Sequence, residues 1–126
     1  MSMKMIFWNV WRLSTYDRNA RSRCERVLNA VAEQQAEVVG LSEVSSNGVE
    51  RLKSFAQDHG YWYIVRKTEG RERGTALLIA KSINVDEAAT WVEPYSEVSA
   101  AVVTADGRSL TIASVYNGAA ASIGDI

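Results

Sequence analysis

EVVGLSEV, residues 37–44, is a run of strand formers that closes on a carboxylate. It is apolar at successive positions, which suits a strand covered on both faces. Side chains alternate along a strand, so Glu43 shares a face with Val39 and Leu41. An acid at the end of a buried strand needs a reason. A similar run comes earlier: MIFWNVW, residues 5–11, is broken only by Asn9. Asn9 falls on the face of Met5, Phe7 and Trp11.

Between these runs the period changes. Ala20, Cys24, Val27, Leu28 and Val31 recur at helical spacing, so residues 17–35 read as an amphipathic helix with Asp17 as its cap. Asn47 to His59 reads as a second helix, with Asn47 and Glu50 in a capping-box pattern and Gly60 as the left-handed stop. Its apolar stripe is Val49, Leu52, Phe55 and Ala56. From Tyr61 the pattern is strands: Tyr61 to Lys67, Thr75 to Ala80, then Val98 to Thr104 and Ser109 to Tyr116 joined through Asp106-Gly107. Asp-Gly between alternating segments is a hairpin signal. Lys81 to Glu97 is weakly patterned, with a short strand expected near Thr90 to Val92. The charged segment 68–74 reads as a loop, and the tail 118–126 is small and unpatterned. Strand, helix, strand, helix, then strands predicts one α/β (α+β) domain over residues 1–126: a mixed β-sheet with two helices on one face.

The bulk numbers bound the function. Apolar residues make up 47% and charged residues 23%, as in ordinary globular domains. A net charge of −1 gives no basic excess, so nucleic-acid contact would need a local patch. The densest candidate is Arg12, Arg18, Arg21, Arg23 and Arg26, a spacing better explained as a solvated helix face. One cysteine, Cys24, excludes an intrachain disulfide. The start is too short and polar for a signal peptide or membrane span, so no membrane partner and a cytoplasmic location are expected.

Three polar residues end otherwise apolar strands: Asn9, Glu43 and Tyr116. Where the first two strands run parallel, their carboxyl ends meet at the edge that binds ligands in open α/β sheets. An amide, a carboxylate and a phenol there could serve a hydrated divalent cation and a phosphate, since magnesium needs only one or two protein carboxylates. Each residue alone also has a plain explanation. Glu43 could be solvated or paired with arginine, Tyr116 could be an edge aromatic, and Asn9 could satisfy backbone.

The order of local motifs adds a resemblance. Lys4-Met-Ile-Phe-Trp-Asn9, then Leu41-Ser42-Glu43-Val44, Gly60-Tyr61, Gly74-Thr75 before an apolar strand, and a strand ending at Tyr116 follow one another at plausible spacing over almost the whole chain. This series resembles the amino-terminal half of the endonuclease/exonuclease/phosphatase superfamily. The resemblance implies Mg²⁺, with Mn²⁺ as an alternative, held by Glu43. It implies Asn9 and Tyr116 as catalytic residues at the phosphate, with Arg73 a phosphate contact by location. Ser42 stands where the family has glutamine. The family's second half, with its Gly-Asp-x-Asn strand end and Asp-His pair, has no counterpart; Gly124-Asp125 lacks the preceding strand, and His59 has no match.

The family fold is a four-layer sandwich with one sheet in each half. A first half alone is therefore expected to leave a sheet face bare, at a cost of about 10 kcal/mol in unburied apolar area. That predicts a homodimer through the open sheet face. Two functions follow: Mg²⁺-dependent phosphodiester or phosphomonoester hydrolysis once a partner completes the site, or a catalytically incomplete homodimeric binding module or remnant.

Overall fold

The structure is a computed structural model that describes residues 3–65, 74–93 and 96–117. The elements in chain order are β1 (Met5–Leu13), α1 (Arg18–Gln34), β2 (Val38–Val44), α2 (Ser46–Asp58), β3 (Tyr61–Val65), β4 (Thr75–Ala80), β5 (Asn84–Glu93), β6 (Ser96–Ala105) and β7 (Arg108–Asn117). The first four strands form one sheet in the order β1-β2-β4-β3; the last three form a second, β5-β6-β7. β1 and β2 are parallel, while β4 is antiparallel to both β2 and β3. The second sheet is antiparallel throughout. The mixed α+β class holds, with two sheets in place of one.

Both helices pack on one face of the first sheet. Asp17 caps α1 by accepting from the Ala20 N–H at 2.8 Å. The α1 stripe Cys24, Val27, Leu28 and Val31 is buried with Leu52, Phe55 and Ala56 of α2, over Val39 and Leu41 of β2. Burying each large apolar side chain of this kind contributes about 1.5–3 kcal/mol. The two helices are also joined by a two-pronged pair, Arg51 Nε to Glu25 Oε2 at 2.7 Å and Nη2 to Oε1 at 2.8 Å. α2 starts at Ser46, not at a cap on Asn47. Asn47 instead accepts from Ser14 Oγ at 2.8 Å and Ser45 Oγ at 2.6 Å, which ties α2 to the chain leaving β1.

The other face of the first sheet is covered. Val38, Leu77 and Ile79 from that sheet meet Ala101, Val103 and Ile112 from β6 and β7 in a second core. The expectation of a bare face there is corrected: the second sheet lies within this half of the chain and fills that layer. The reason is β5. Its ten residues, with the exposed polar pair Asp86 and Glu87 and a bulge between Val85 and Glu87, hide the alternation in the sequence. With β5 in place, the hairpin at Asp106-Gly107, both at positive φ, becomes part of a three-stranded sheet.

Alternation fixes what the second sheet turns outward. Ser99, Ala101 and Val103 point inward, so Val98, Ala100 and Val102 point away. Their cross-strand partners on that outer face include Trp91, Ala89, Val115 and Ala113. Among the described residues no helix covers this face. The layers are therefore helix, sheet, sheet.

Candidate functional site

β1 and β2 run in register up to the pair Asn9–Ser42 and then lose it, resuming at Leu13–Val44. β1 thus spends four residues where β2 spends two. The extra chain is accommodated by left-handed backbone at non-glycine residues: Trp11 at φ 42, Arg12 at φ 61 and, on β2, Glu43 at φ 63. Such residues cost of order 1–3 kcal/mol each, and they collect where geometry serves a site. Asn9 stabilises the bulge directly: its Oδ1 accepts the Trp11 N–H at 3.0 Å. That bond commits the carbonyl side of the amide and leaves the NH₂ as the group Asn9 can offer a ligand.

The twist at Glu43 changes the sequence expectation. Regular alternation would keep Glu43 on the helix-facing side with Val39 and Leu41. The positive φ breaks that phase, and Val44 takes the core position with Leu13. Glu43 is nonetheless only 7% exposed. Asn9 and Glu43 therefore lie on adjacent parallel strands at the same carboxyl edge, one residue apart in register.

The second sheet reaches the same edge. Ser114 Oγ on β7 donates to the Leu41 carbonyl at 3.1 Å, and Thr75 and Ser99 share a hydroxyl hydrogen bond at 2.8 Å. These buried hydroxyls form a polar seam between the sheets, one step below the edge. Two residues beyond Ser114 stands Tyr116, half-buried and paired across the strands with Glu97 of β6. Tyr116 thus belongs to the same end of the molecule as Asn9 and Glu43. Tyr116 stands on the second sheet, and it reaches this end of the molecule because the two sheets are packed face to face.

Glu97 is the residue that sequence reasoning missed. It is 4% exposed. A Cβ added to Gly74 would lie 2.9 Å from its Oε2 and 3.3 Å from its Oε1. Gly74 in turn is tied to the Glu43 strand end, its carbonyl accepting the Val44 N–H at 2.9 Å. The available signal was phase: a strand begun at Ser96 puts Glu97 in step with Ser99, Ala101 and Val103, on the inward face. Reading the strand from Val98 left Glu97 in a linker.

The remaining candidates fall elsewhere. Arg73 and Asp125 lie outside the described residues. His59 stacks on Phe55 at 4.3 Å between ring centroids, at the far end of α2. Cys24 is buried in the α1 stripe, where burial first and Glu25 second push its thiol pKa up. Among the described residues, no three His, Cys, Asp or Glu side chains converge as a metal cage. The two buried carboxylates at this end, Glu43 and Glu97, beside amide and hydroxyl groups fit a hydrated Mg²⁺, which keeps several waters and needs only one or two protein carboxylates, better than they fit a zinc cage. No helix among the described residues is long and apolar enough to cross a membrane.

No family model matches this sequence, and no curated protein matches it. Solved structures do. A humanised TDP2 from D. rerio superposes with a TM-score of 0.78 at 23% identity, over 93% of this chain and 51% of that one. TDP2 from C. elegans gives 0.70 at 17% identity, over 86% of this chain and 33% of that one. ANGEL2, a 2′,3′-cyclic phosphatase, solved with adenosine-2′,3′-vanadate, gives 0.71 at 13% identity, over 88% and 40%. The chain spans about half, or less, of the length of these structures. TDP2 and ANGEL2 are members of the endonuclease/exonuclease/phosphatase superfamily, and the likeness extends over the helices and both sheets. The chain has the fold of part of an endonuclease/exonuclease/phosphatase domain.

Proposed function

We propose that this chain carries the metal-and-phosphate edge of a divalent-metal phosphoesterase, and that hydrolysis requires a partner to complete the site. The observation that supports the reading is the register of Asn9 opposite Ser42, which brings Asn9 and Glu43 to neighbouring positions at the carboxyl ends of two parallel strands, with left-handed backbone at Glu43. In this reading Glu43 holds Mg²⁺ or Mn²⁺, which when bound would supply charge stabilisation to a phosphoryl oxygen and a more acidic water. The Asn9 NH₂ donates to a second phosphoryl oxygen, and the Tyr116 hydroxyl meets the phosphate from the second sheet. These are neutral, pre-placed donors of the kind that stabilise developing charge without reorganising. The Thr75, Ser99 and Ser114 seam holds the two sheets in register beneath them.

The set supplies no described histidine or further aspartate to take a proton from water or give one to the leaving group. A chain spanning at most about half of its structural neighbours is consistent with that gap. The partner proposed is a second copy of the chain, docked on the outer face of the second sheet around the exposed Trp91 and Val115. The alternative is a binding module that takes cation and phosphate without turnover, favoured by the sparse acid set among the described residues.

The deciding experiment is hydrolysis of bis(p-nitrophenyl) phosphate and p-nitrophenyl phosphate with Mg²⁺ or Mn²⁺, alongside light scattering for mass. Metal-dependent turnover that Glu43→Ala abolishes supports the enzyme. Calorimetric binding of Mn²⁺ without turnover supports the module. Neither binding nor turnover removes both.

A further inference from the structure

At the end of the molecule away from Asn9 and Glu43, the layer between the two sheets is left partly empty. Trp62 of β3 pairs with Ile79 of β4, and Ile79 pairs with Val38, the first residue of β2. Glu43 stands near the other end of that strand, roughly 17 Å away at the usual strand rise. β3 and β5 are edge strands of their sheets. A cleft of about 610 Å³ lies between them, with the β4–β5 turn as its third wall. Its apolar lining is Trp62, Ile64, Ile83, Val85 and Ala88. Ile64 and Ile83 are buried in the second core, and Val85 packs against that core.

One small residue opens the cleft. Trp62 shares its strand phase with Ile64, so both face the second sheet. Ala88 lies opposite the buried Ala101 of β6, so it faces the first sheet. Sheets packed face to face lie ~10 Å apart, and side chains from both fill the space. Here β5 sets only an alanine into the layer, and Trp62 stays 49% exposed despite its inward phase. One cation completes the lining. Lys81 Nζ stands 4.9 Å from the centroid of the Trp62 ring. The Lys81 N–H donates to the Gly60 carbonyl and the Ile83 N–H to the Ala80 carbonyl, both at 2.9 Å, so the turn that carries the lysine is held in place. Among the described residues no carboxylate pairs with Lys81. Asp86, at the β5 bulge, is taken up by Asn84 Nδ2 at 2.6 Å and Thr104 Oγ1 at 2.5 Å. Glu87 sits opposite Val102 and faces the outer side of the sheet.

We propose that this cleft binds a small aromatic carboxylate, with its flat apolar body against Trp62, Ile83 and Ala88 and its carboxylate at Lys81. Pockets for small ligands span roughly 300–1,000 Å³ and are mostly apolar with a few placed polar groups, which describes this lining. A purely apolar ligand would leave Lys81 without a counter-ion, and a bare anion would leave the apolar walls wet. A body joined to one anion uses both. The indole favours a flat body over a flexible chain, because offset ring stacking adds to the burial of area. This site stands apart from the metal-and-phosphate edge and does not depend on how that edge is read.

The test titrates the ¹⁵N-labelled full chain, without metal, with 2-naphthoate, its neutral amide 2-naphthamide, and octanoate. Naphthoate is expected to shift the Trp62 indole N–H and the amides of Lys81, Ile83 and Val85. It should bind about fivefold tighter than the amide, the size of one exposed ion pair, and tighter than octanoate. Lys81→Gln should erase the preference for the acid and keep the naphthamide affinity. Ala88→Leu should fill the cleft and abolish binding with an unchanged or higher urea midpoint, which separates a blocked site from an unfolded one. Trp91→Ala, on the outer face of the second sheet, should bind as the wild type does. No shifts at millimolar naphthoate, shifts centred on Trp91 and Val115, equal binding of acid and amide, octanoate binding as tightly as naphthoate, or a folded Ala88→Leu variant that still binds would overturn the proposal.

Discussion

Gly74→Ala should destabilise the protein by about 1–2 kcal/mol, and only because of Glu97. Gly74 is not at positive φ, so nothing in the backbone requires glycine. At such a position Gly→Ala ordinarily stabilises by about 0.4–1 kcal/mol through the unfolded chain. Here the new methyl would meet Glu97 Oε2 at 2.9 Å, Oε1 at 3.3 Å and Cδ at 3.4 Å. A carboxylate that is 4% exposed cannot swing into solvent without loosening its packing. Overpacking a filled site costs about 1–3 kcal/mol, which outweighs the gain. In a Glu97→Ala background the clash is gone, so Gly74→Ala should be neutral or stabilising. The expected coupling between the two sites is about 1–3 kcal/mol. Urea unfolding followed by far-ultraviolet circular dichroism measures all four corners of the cycle. Gly74→Ala having the same effect in both backgrounds would refute the placement of Glu97 against the Glu43 strand end.

Other perturbations follow from the same geometry. Gln35→Gly should relieve the left-handed residue at φ 49 that ends α1 and raise stability by up to about 1 kcal/mol, read as a higher urea midpoint. Tyr61→Phe should cost about 1–2 kcal/mol, because the buried hydroxyl donates to the Ala36 carbonyl at 2.6 Å and that carbonyl would lose its partner. Burial first, then Glu37, raises the Tyr61 pKa above its ordinary 10.0, so its stabilisation is complete below that value and is lost as pH rises through the higher folded pKa. The Tyr61→Phe variant should lose less stability than the wild type between neutral and strongly alkaline pH. Glu25 has the opposite sign. Its hydrogen bond from Arg51 lowers its pKa, so Glu25→Gln should flatten the loss of stability on acidification below about pH 4.5, by well under 1 kcal/mol since the pair is largely exposed.

The two layers nearest the amino terminus were legible because their signals are local. Asp17 caps α1 as its side chain requires, the buried stripes of both helices follow the 3.6-residue period, and Asp106-Gly107 turns the hairpin. Asn9 and Glu43 were also readable, as polar interruptions at the ends of apolar runs. What was hidden depends on backbone that side chains do not announce. Nothing about Trp11, Arg12 or Glu43 as residue types signals left-handed φ, yet those three angles re-aim Glu43 and build the bulge. β5 was obscured by its own bulge and exposed acids, and losing it made the first sheet look bare. Glu97 was lost with it, since its inward phase appears only when β6 starts at Ser96. The capping-box reading of Asn47 failed because Ser14 and Ser45 claim its side chain for a tertiary tie.

The central claim is that Asn9 and Glu43, with Tyr116 and Glu97 from the second sheet, face one cation-and-phosphate edge. Titration of ¹⁵N-labelled protein with substoichiometric Mn²⁺ tests it without needing activity, because the paramagnetic ion broadens only nearby signals. The account predicts selective loss of the Asn9 side-chain NH₂ signal and of the Glu43, Gly74, Glu97 and Tyr116 amides, reversed by Glu43→Gln. Broadening centred on another part of the molecule, or the same pattern persisting in Glu43→Gln, would contradict it.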